Sequence, residues 1–251
     1  MIRVSSLALG FTVFSVAASA FAQDEAAAGG EATASTGPAS GSSGADRKFK
    51  LGLRSGYALP MGGVQGAQSI GTQSYPEIKV SDAVSGQIPI WIDAGYMVLP
   101  EVLVGAYFQY GIVQVKKATT ALAPGCAPGD NCSAHDIRFG VQAQYHFSPA
   151  QSADPWLGLG FGYEILGTSE TGGGRTPGDG SLTGLEFLNL QGGADFKLAD
   201  AFSLGPFLSF SLGQYSSETA VGVNGQSQTS DINPKELHEW LTFGVKGTFG
   251  I

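Results

Sequence analysis

Eight stretches of the chain alternate apolar residues with polar or small residues, and this periodicity limits the possible fold more than any other feature. Alternation with a period of two is the pattern of a β-strand whose two faces meet different environments. The clearest stretch runs from Asp136 to Phe147, where the odd-numbered positions are apolar and the even-numbered positions are polar or glycine. No helical apolar stripe occurs after Ala22, and glycine makes up 38 of 251 residues. The sequence therefore predicts an all-β fold.

The charges of these stretches lie on one face only. None of the eight apolar faces carries a charged residue, and aromatic residues on those faces gather near both strand ends, as in the aromatic girdles of membrane barrels. About ten residues at about 3.3 Å each, tilted by about 40°, span the roughly 25 Å apolar band of an outer-membrane barrel. We expect an eight-stranded antiparallel up-and-down transmembrane β-barrel with long extracellular loops and short periplasmic turns.

The amino-terminal region divides into two segments before the barrel. Residues 1–22 contain Arg3, an apolar run and the small-residue site Ala20 to Ala22, which is the order of a signal peptide. Residues 23–46 are mostly Ala, Gly, Ser, Thr, Glu and Pro, a composition typical of a disordered linker. Residues 47–251 then form the barrel, with both of its termini in the periplasm. The net charge of −8 and the lack of a basic cluster disfavour nucleic acid as a partner.

The two cysteines, Cys126 and Cys132, fall in a long loop of an exported chain. A disulfide is the favoured interpretation in that compartment. A metal site is the weaker alternative, because only Asp130 and His135 are close enough in sequence to add ligands. We therefore expect neither a metal nor a cofactor.

Charged residues on the polar face are expected to pair inside the barrel, because charges in a confined lumen persist only when they are paired or hydrogen-bonded. Arg138 and Glu164 lie at nearly mirrored positions about a short turn near Ser152, so they should face each other. Arg54 and Asp93 lie at similar heights on the first two strands. The predicted luminal polar network consists of Arg54, Asp93, Arg138, Glu164, Asp195 and Lys246.

Three positions interrupt the regular alternation. Glu186 would face lipid unless a bulge at Phe187 and Leu188 returned it to the lumen. Pro89 and Pro206 each lack the backbone donor of a strand residue, so a bulge or a strand end is expected at both.

Residues 47–251 resemble the small eight-stranded outer-membrane barrels of the OmpX, OmpW and OmpA-transmembrane type. The resemblance rests on Pro155 to Glu164, which is similar to a glycine-rich fifth strand, and on the closing strand Trp240 to Phe249. The closing strand resembles the carboxy-terminal insertion signal that the barrel-assembly machinery recognises, although Gly250 follows the final aromatic residue. The residues assigned to this signal are Trp240, Phe243, Phe249 and Ile251.

The narrow width of an eight-stranded barrel decides which functional hypothesis is favoured. Side chains can fill an eight-stranded barrel, so the leading hypothesis is a plugged scaffold whose surface loops contact envelope components or partners. Its surroundings would be outer-membrane lipid and lipopolysaccharide, and the ligand of the loops stays open. The alternative is a narrow OmpW-like channel for small or hydrophobic molecules, suggested by luminal aromatic residues. These are Trp91, Tyr107, Trp156, Phe207 and Trp240.

Catalysis is a minor alternative. His135, Asp136, His238 and Glu239 fall at the outer strand ends, where an outer-membrane lipid-modifying enzyme could hold an acid and a base. No serine has a distinctive setting for a nucleophile, so we do not expect an enzyme.

Overall fold

The computed structural model describes residues 48–70, 72–119, 125–172, 178–221 and 225–251. The predicted signal peptide and linker lie outside these residues. The elements in chain order are β1 (Phe49–Gln65), β2 (Gln68–Ile70), β3 (Gln73–Tyr75), β4 (Ile78–Lys79), α1 (Val80–Ala83), β5 (Val84–Leu99), β6 (Val102–Val115), β7 (Asp130–His146), β8 (Ala153–Gly172), β9 (Gly178–Ala199), β10 (Phe202–Val221), β11 (Ser227–Asp231) and β12 (Leu237–Gly250).

Eight of these strands form a closed antiparallel barrel, in the order β1, β5, β6, β7, β8, β9, β10 and β12. The first strand pairs with the last, from Lys50 opposite Gly250 to Gly62 opposite His238. Because the ring is closed, each barrel strand has a hydrogen-bonded neighbour on both sides. The predicted fold class is confirmed.

The barrel is apolar outside and polar inside. Val141 is 61% exposed on the outer wall, and Ile92 is 51% exposed, whereas Arg54 and Trp240 are fully buried in the lumen. An uncharged outer band over closed strands is the surface of a transmembrane outer-membrane barrel. Within the described residues, no helix is long and apolar enough to cross a membrane.

The barrel strands extend further than the alternation predicts. The alternation of the sequence is absent from residues 168–184 and 214–237, which it therefore predicts as two of the long loops, but these segments contain the ends of β8, β9 and β10, together with β11. Thr168 pairs with Gly180 in the β8–β9 hairpin, and Thr219 pairs with Thr229 between β10 and β11. Backbone pairing continues there without an apolar face, so the sequence pattern ends before the strands do.

The bulge predicted at Phe187 and Leu188 occurs there, in β9. On the neighbouring strand, Gly160 pairs with Asn189 and Gly162 pairs with Glu186, so β9 has one extra residue between these pairs. Both bulge side chains avoid the lumen, and Glu186 is fully buried.

The predicted interruptions at the two prolines are wrong. Pro89 pairs with Gly111, and Pro206 pairs with Val245, without a register shift at either position. On the other side of each proline-containing strand, the pairing is interrupted. The β1–β5 ladder has no pair between Ser55 and Ala58, opposite Pro89. The β9–β10 ladder has no pair between Leu204 and Phe207, on either side of Pro206. The missing donor is therefore accommodated by a local gap in one ladder.

The outer wall leads to a first prediction. Replacing Val141 by Arg places a charge in the apolar band, so we expect it to lower the free energy of unfolding in lipid by about 2 to 4 kcal/mol. Ser227→Arg, on exposed β11 beyond the band, is the matched control and should change stability little. Urea unfolding in lipid vesicles measures both variants, and equal losses would contradict a membrane-facing position for Val141.

Candidate functional site

The lumen contains nearly all the buried charges of the described residues, and glycines in its wall make room for large side chains. Tyr107 of β6 lies against Gly140 of β7 and Gly162 of β8. A Cβ atom added at Gly162 would lie 2.3 Å from the Tyr107 hydroxyl oxygen, and one at Gly140 would lie 2.8 Å from it. Small residues at these positions therefore allow the ring to reach across the barrel.

Arg54 is the centre of one layer across the lumen, which we call the Arg54 layer. Its Nε donates to Asp93 Oδ2 at 2.6 Å, and one terminal nitrogen donates to Gln191 Oε1 at 2.7 Å. The amide of Gln142 donates to the second Asp93 oxygen at 2.8 Å. The bonds of this layer therefore join β1, β5, β7 and β9.

Aromatic rings complete the Arg54 layer. The guanidinium carbon lies 4.6 Å from the ring centroid of Trp91, 5.3 Å from that of Trp156 and 5.5 Å from that of Phe207. These distances are typical of cation–π contacts. The ring of Tyr107 lies 5.5 Å from that of Trp91. The luminal aromatic residues thus pack around a cation and fill the cross-section.

Arg138 is the centre of a second layer, the Arg138 layer, nearer the end with the long strands. It is the cross-strand partner of Glu164, and their side chains are 3.2 Å apart. Its guanidinium also lies 2.9 Å from Asp136 and 3.6 Å from Glu186. Ser211 accepts a further hydrogen bond at 2.8 Å. One guanidinium therefore faces three buried carboxyl groups.

Neutral donors and one imidazole support these carboxyl groups. Tyr215 donates to Glu164 at 2.7 Å, and the Nε2 atom of His238 lies 2.8 Å from the second Glu164 oxygen. Tyr107 donates to Glu186, and Gln87 donates to Asp136 at 2.9 Å. The predicted network did not include Asp136, Glu186, Tyr215 or His238. Parity indicated the luminal position of Asp136, which lies two residues from Arg138 on β7. Tyr215 and His238, in contrast, reach Glu164 from strands distant in sequence.

An apolar cap lies beyond the Arg138 layer. On β5, Val84 lies nearer the long-strand end of the barrel than Gln87 does. On β8, Leu166 likewise lies nearer that end than Glu164. Val80 of α1 and Ile232 pack into the same buried cluster. The cap thus combines strand ends with connecting segments, so strand periodicity does not reveal it.

The other predicted luminal charges form a separate group at the short-turn end. Lys246 Nζ lies 3.3 Å from Asp195 Oδ2 and 4.0 Å from the Trp156 ring centroid. The Trp156 indole donates to the other Asp195 oxygen at 3.0 Å. The six predicted residues therefore form three groups, which are Arg54 with Asp93, Arg138 with Glu164, and Lys246 with Asp195.

The predicted disulfide between Cys126 and Cys132 is confirmed, with a Cα to Cα distance of 5.7 Å. A metal site built on these thiols is therefore wrong.

The predicted insertion residues are divided between the two sides of the wall. Trp240 is buried in the lumen, whereas Phe243 and Phe249 are 48% and 46% exposed on the outside. Ile251 follows the end of β12. Their role in insertion stays a prediction.

The candidate acid and base residues do not all face one site. Asp136 and His238 are buried in the Arg138 layer. His135 stacks on Tyr110, with ring centroids 5.9 Å apart and an interplanar angle of 11°. Glu239, which alternates with luminal His238 and Trp240, lies on the other face of β12. A rim site built from all four is therefore wrong.

Comparisons with known proteins find similar barrels among solved structures. The outer-membrane protein AlkL is 16% identical, with 87% of this chain and 98% of that chain covered and a TM-score of 0.49. OprG from Pseudomonas aeruginosa is 14% identical, with 81% and 97% covered and a TM-score of 0.47. Neisserial surface protein A is 12% identical, with the same coverage and a TM-score of 0.46. No protein-family profile and no curated protein matches the sequence.

The Arg138 layer leads to a second prediction. Arg138→Ala leaves three buried carboxyl groups without their guanidinium, so we expect the free energy of unfolding to fall by about 3 to 5 kcal/mol. Replacing Glu164 by Gln together with Arg138→Met should recover only part of this loss, because Asp136 and Glu186 remain. Adding Asp136→Asn should recover more.

Urea unfolding in detergent, followed by the change in gel mobility on boiling, measures this series. An Arg138→Ala protein as stable as the wild type would show that the layer does not stabilise the barrel. Full recovery by the double variant would show that Glu164 is the only carboxyl group that matters.

Proposed function

We propose that the protein is a closed outer-membrane scaffold whose extended strands and connecting segments carry its contacts outside the membrane. The supporting observation is the filling of the lumen by two layers of side chains at different heights. Arg54 alone makes hydrogen bonds or ring contacts with residues of β5, β7, β8, β9 and β10. A solute crossing the barrel would have to displace both layers and the apolar cap.

The burial of the luminal aromatic residues favours the scaffold over a narrow channel. Trp91 and Trp156 are each 1% exposed, and Phe207 is 4% exposed. A ring that lines a path for apolar solutes would present a face to open space. These rings pack on Arg54, where they are part of the barrier.

The outer working surface is the sheet that continues beyond the apolar band. Strands β8, β9 and β10 are 20, 22 and 20 residues long, about twice the length that crosses a bilayer. We place this sheet outside the cell and both barrel termini in the periplasm, because outer-membrane barrels have their short turns on the periplasmic side. Its partners would be envelope components, including lipopolysaccharide at the rim.

Conductance in planar bilayers tests the scaffold. The wild-type protein should show no steady conductance steps, because the layers obstruct the lumen in series. Arg54→Ala alone should remain closed, since the Arg138 layer persists. Arg54→Ala combined with Arg138→Ala leaves the apolar cap in place and should conduct small ions only when Leu166→Ala and Ile232→Ala are added to open the cap, whereas Leu208→Ala on the outer wall should not conduct.

The wild-type measurement stands even if the combined variants do not fold. Steady conductance by correctly folded wild-type protein would overturn the scaffold and favour the narrow channel.

A further inference from the structure

The Arg138 layer contains more acidic groups than its cations can compensate. Asp136, Glu164 and Glu186 are each at most 1% exposed. Arg138 lies within 3.6 Å of all three carboxyl groups, and among the described residues only His238 forms a further ion pair with any of them. Even with His238 doubly protonated, three ionised carboxylates would leave one negative charge uncompensated. Burying such a charge is so costly that a buried acid commonly stays neutral instead.

Six strands contribute the titratable groups of this layer. They are Tyr107 of β6, Asp136 and Arg138 of β7, Glu164 of β8, Glu186 of β9, Tyr215 of β10 and His238 of β12. Glu164 has partners at both carboxyl oxygens, and so does Glu186. The partners of Glu164 are Arg138, Tyr215 and His238, and those of Glu186 are Tyr107 and Asn189. Partners at both oxygens stabilise an ionised carboxylate, which only accepts hydrogen bonds.

Asp136 is the exception among the three acids. Its Oδ2 atom accepts hydrogen bonds from the amide nitrogens of Gln87 at 2.9 Å and Gln109 at 3.3 Å. Its Oδ1 atom is buried and has no hydrogen-bond partner among the described residues. A buried acceptor without a donor is costly, whereas a protonated carboxyl oxygen is itself a donor. The Oδ1 atom of Asp136 is therefore the position in this layer where a proton removes an unsatisfied acceptor.

Gln87 has an unpaired acceptor of its own beside Asp136. Its side chain is fully buried, and its Oε1 atom has no hydrogen-bond partner among the described residues. A Cβ atom added at Gly111 would clash with Oε1 of Gln87 and lie 3.3 Å from Cβ of Asp136, so the two side chains meet over this glycine. Neither unpaired oxygen can donate to the other while Asp136 is ionised. One proton between them satisfies both.

We propose that Asp136 binds a proton at neutral pH and pairs with Gln87 as a neutral acid. The acid donates to Oε1 of Gln87 through Oδ1 and accepts from Nε2 of Gln87 through Oδ2, so the pair is held by two hydrogen bonds. Glu164 and Glu186 stay ionised beside Arg138. Loss of the proton adds a buried negative charge, which makes the Arg138 layer sensitive to alkaline pH. This inference concerns the charge of the layer and is independent of whether the barrel conducts.

Infrared spectroscopy tests the proton directly, because a protonated carboxyl group has a carbonyl stretch separate from that of a carboxylate. The sample is the full exported chain folded in phosphatidylcholine vesicles at neutral pH, with carbon-13 in the aspartate carboxyl groups. The difference between the wild-type and Asp136→Asn spectra should contain a protonated-aspartate band that the label shifts. Asp93→Asn changes the buried carboxyl partner of Arg54 in the same way, and its difference spectrum should lack this band.

Stability in urea provides a second test with the same matched pair. Asparagine can make both hydrogen bonds to Gln87, so Asp136→Asn should be at least as stable as the wild type at neutral pH. Asp93→Asn should be less stable, because Arg54 loses an ionised partner. The unfolded chain releases the Asp136 proton above about pH 4, whereas the folded protein keeps it. Between about pH 5 and 7, the unfolding equilibrium constant of the wild type should therefore rise about tenfold per pH unit relative to that of Asp136→Asn.

Three results would overturn the proposal. They are the absence of the band from the difference between wild type and Asp136→Asn, a loss of stability in Asp136→Asn as large as in Asp93→Asn, and the same pH dependence in wild type and Asp136→Asn. If Asp93→Asn does not fold, the comparison of wild type with Asp136→Asn still decides the first and third results. None of them bears on the conductance test, so the two proposals can fail separately.

Discussion

The structure depends on the cost of burying a guanidinium where water cannot solvate it. Arg54 and Arg138 are almost completely buried inside a wall whose outer face meets hydrocarbon. Each therefore needs partners from several strands, since an unpaired charge in such a site costs several kcal/mol. The two arginines thereby connect strands that share no backbone hydrogen bonds. The filled lumen follows from this requirement.

Much of the barrel could be predicted from the sequence, because the two faces of each strand meet different solvents. Lipid excludes charged side chains from the outer face of a strand, so every charged residue within the apolar band indicates which face is luminal. The same logic located the bulge at Phe187, since Glu186 would otherwise lie in hydrocarbon. Sequence symmetry about a short turn also identified Arg138 and Glu164 as neighbours.

The remaining features depend on distances across the barrel or on connections outside the membrane. Tyr215 and His238 reach Glu164 from strands that are not its neighbours in the sheet. The cap includes Val80 and Ile232 from connecting segments. Beyond the band both strand faces meet water, so the alternation that marks a strand disappears while its hydrogen bonds continue. The two prolines show the same limit, because the tolerance of a ladder for a missing donor depends on its local geometry.

The extra residue in β9 has a consequence for how this wall can change over time. Because side chains alternate between the two faces of a strand, inserting or deleting one residue exchanges the inward and outward positions of all the residues that follow it in that strand. The bulge at Phe187 and Leu188 is a tolerated shift of this kind, since both residues avoid the lumen. Losing either one would turn Glu186 toward lipid or expel Asn189 and Gln191 from the interior. Within the band, this wall can therefore change length safely in pairs of residues, whereas single changes require a compensating bulge.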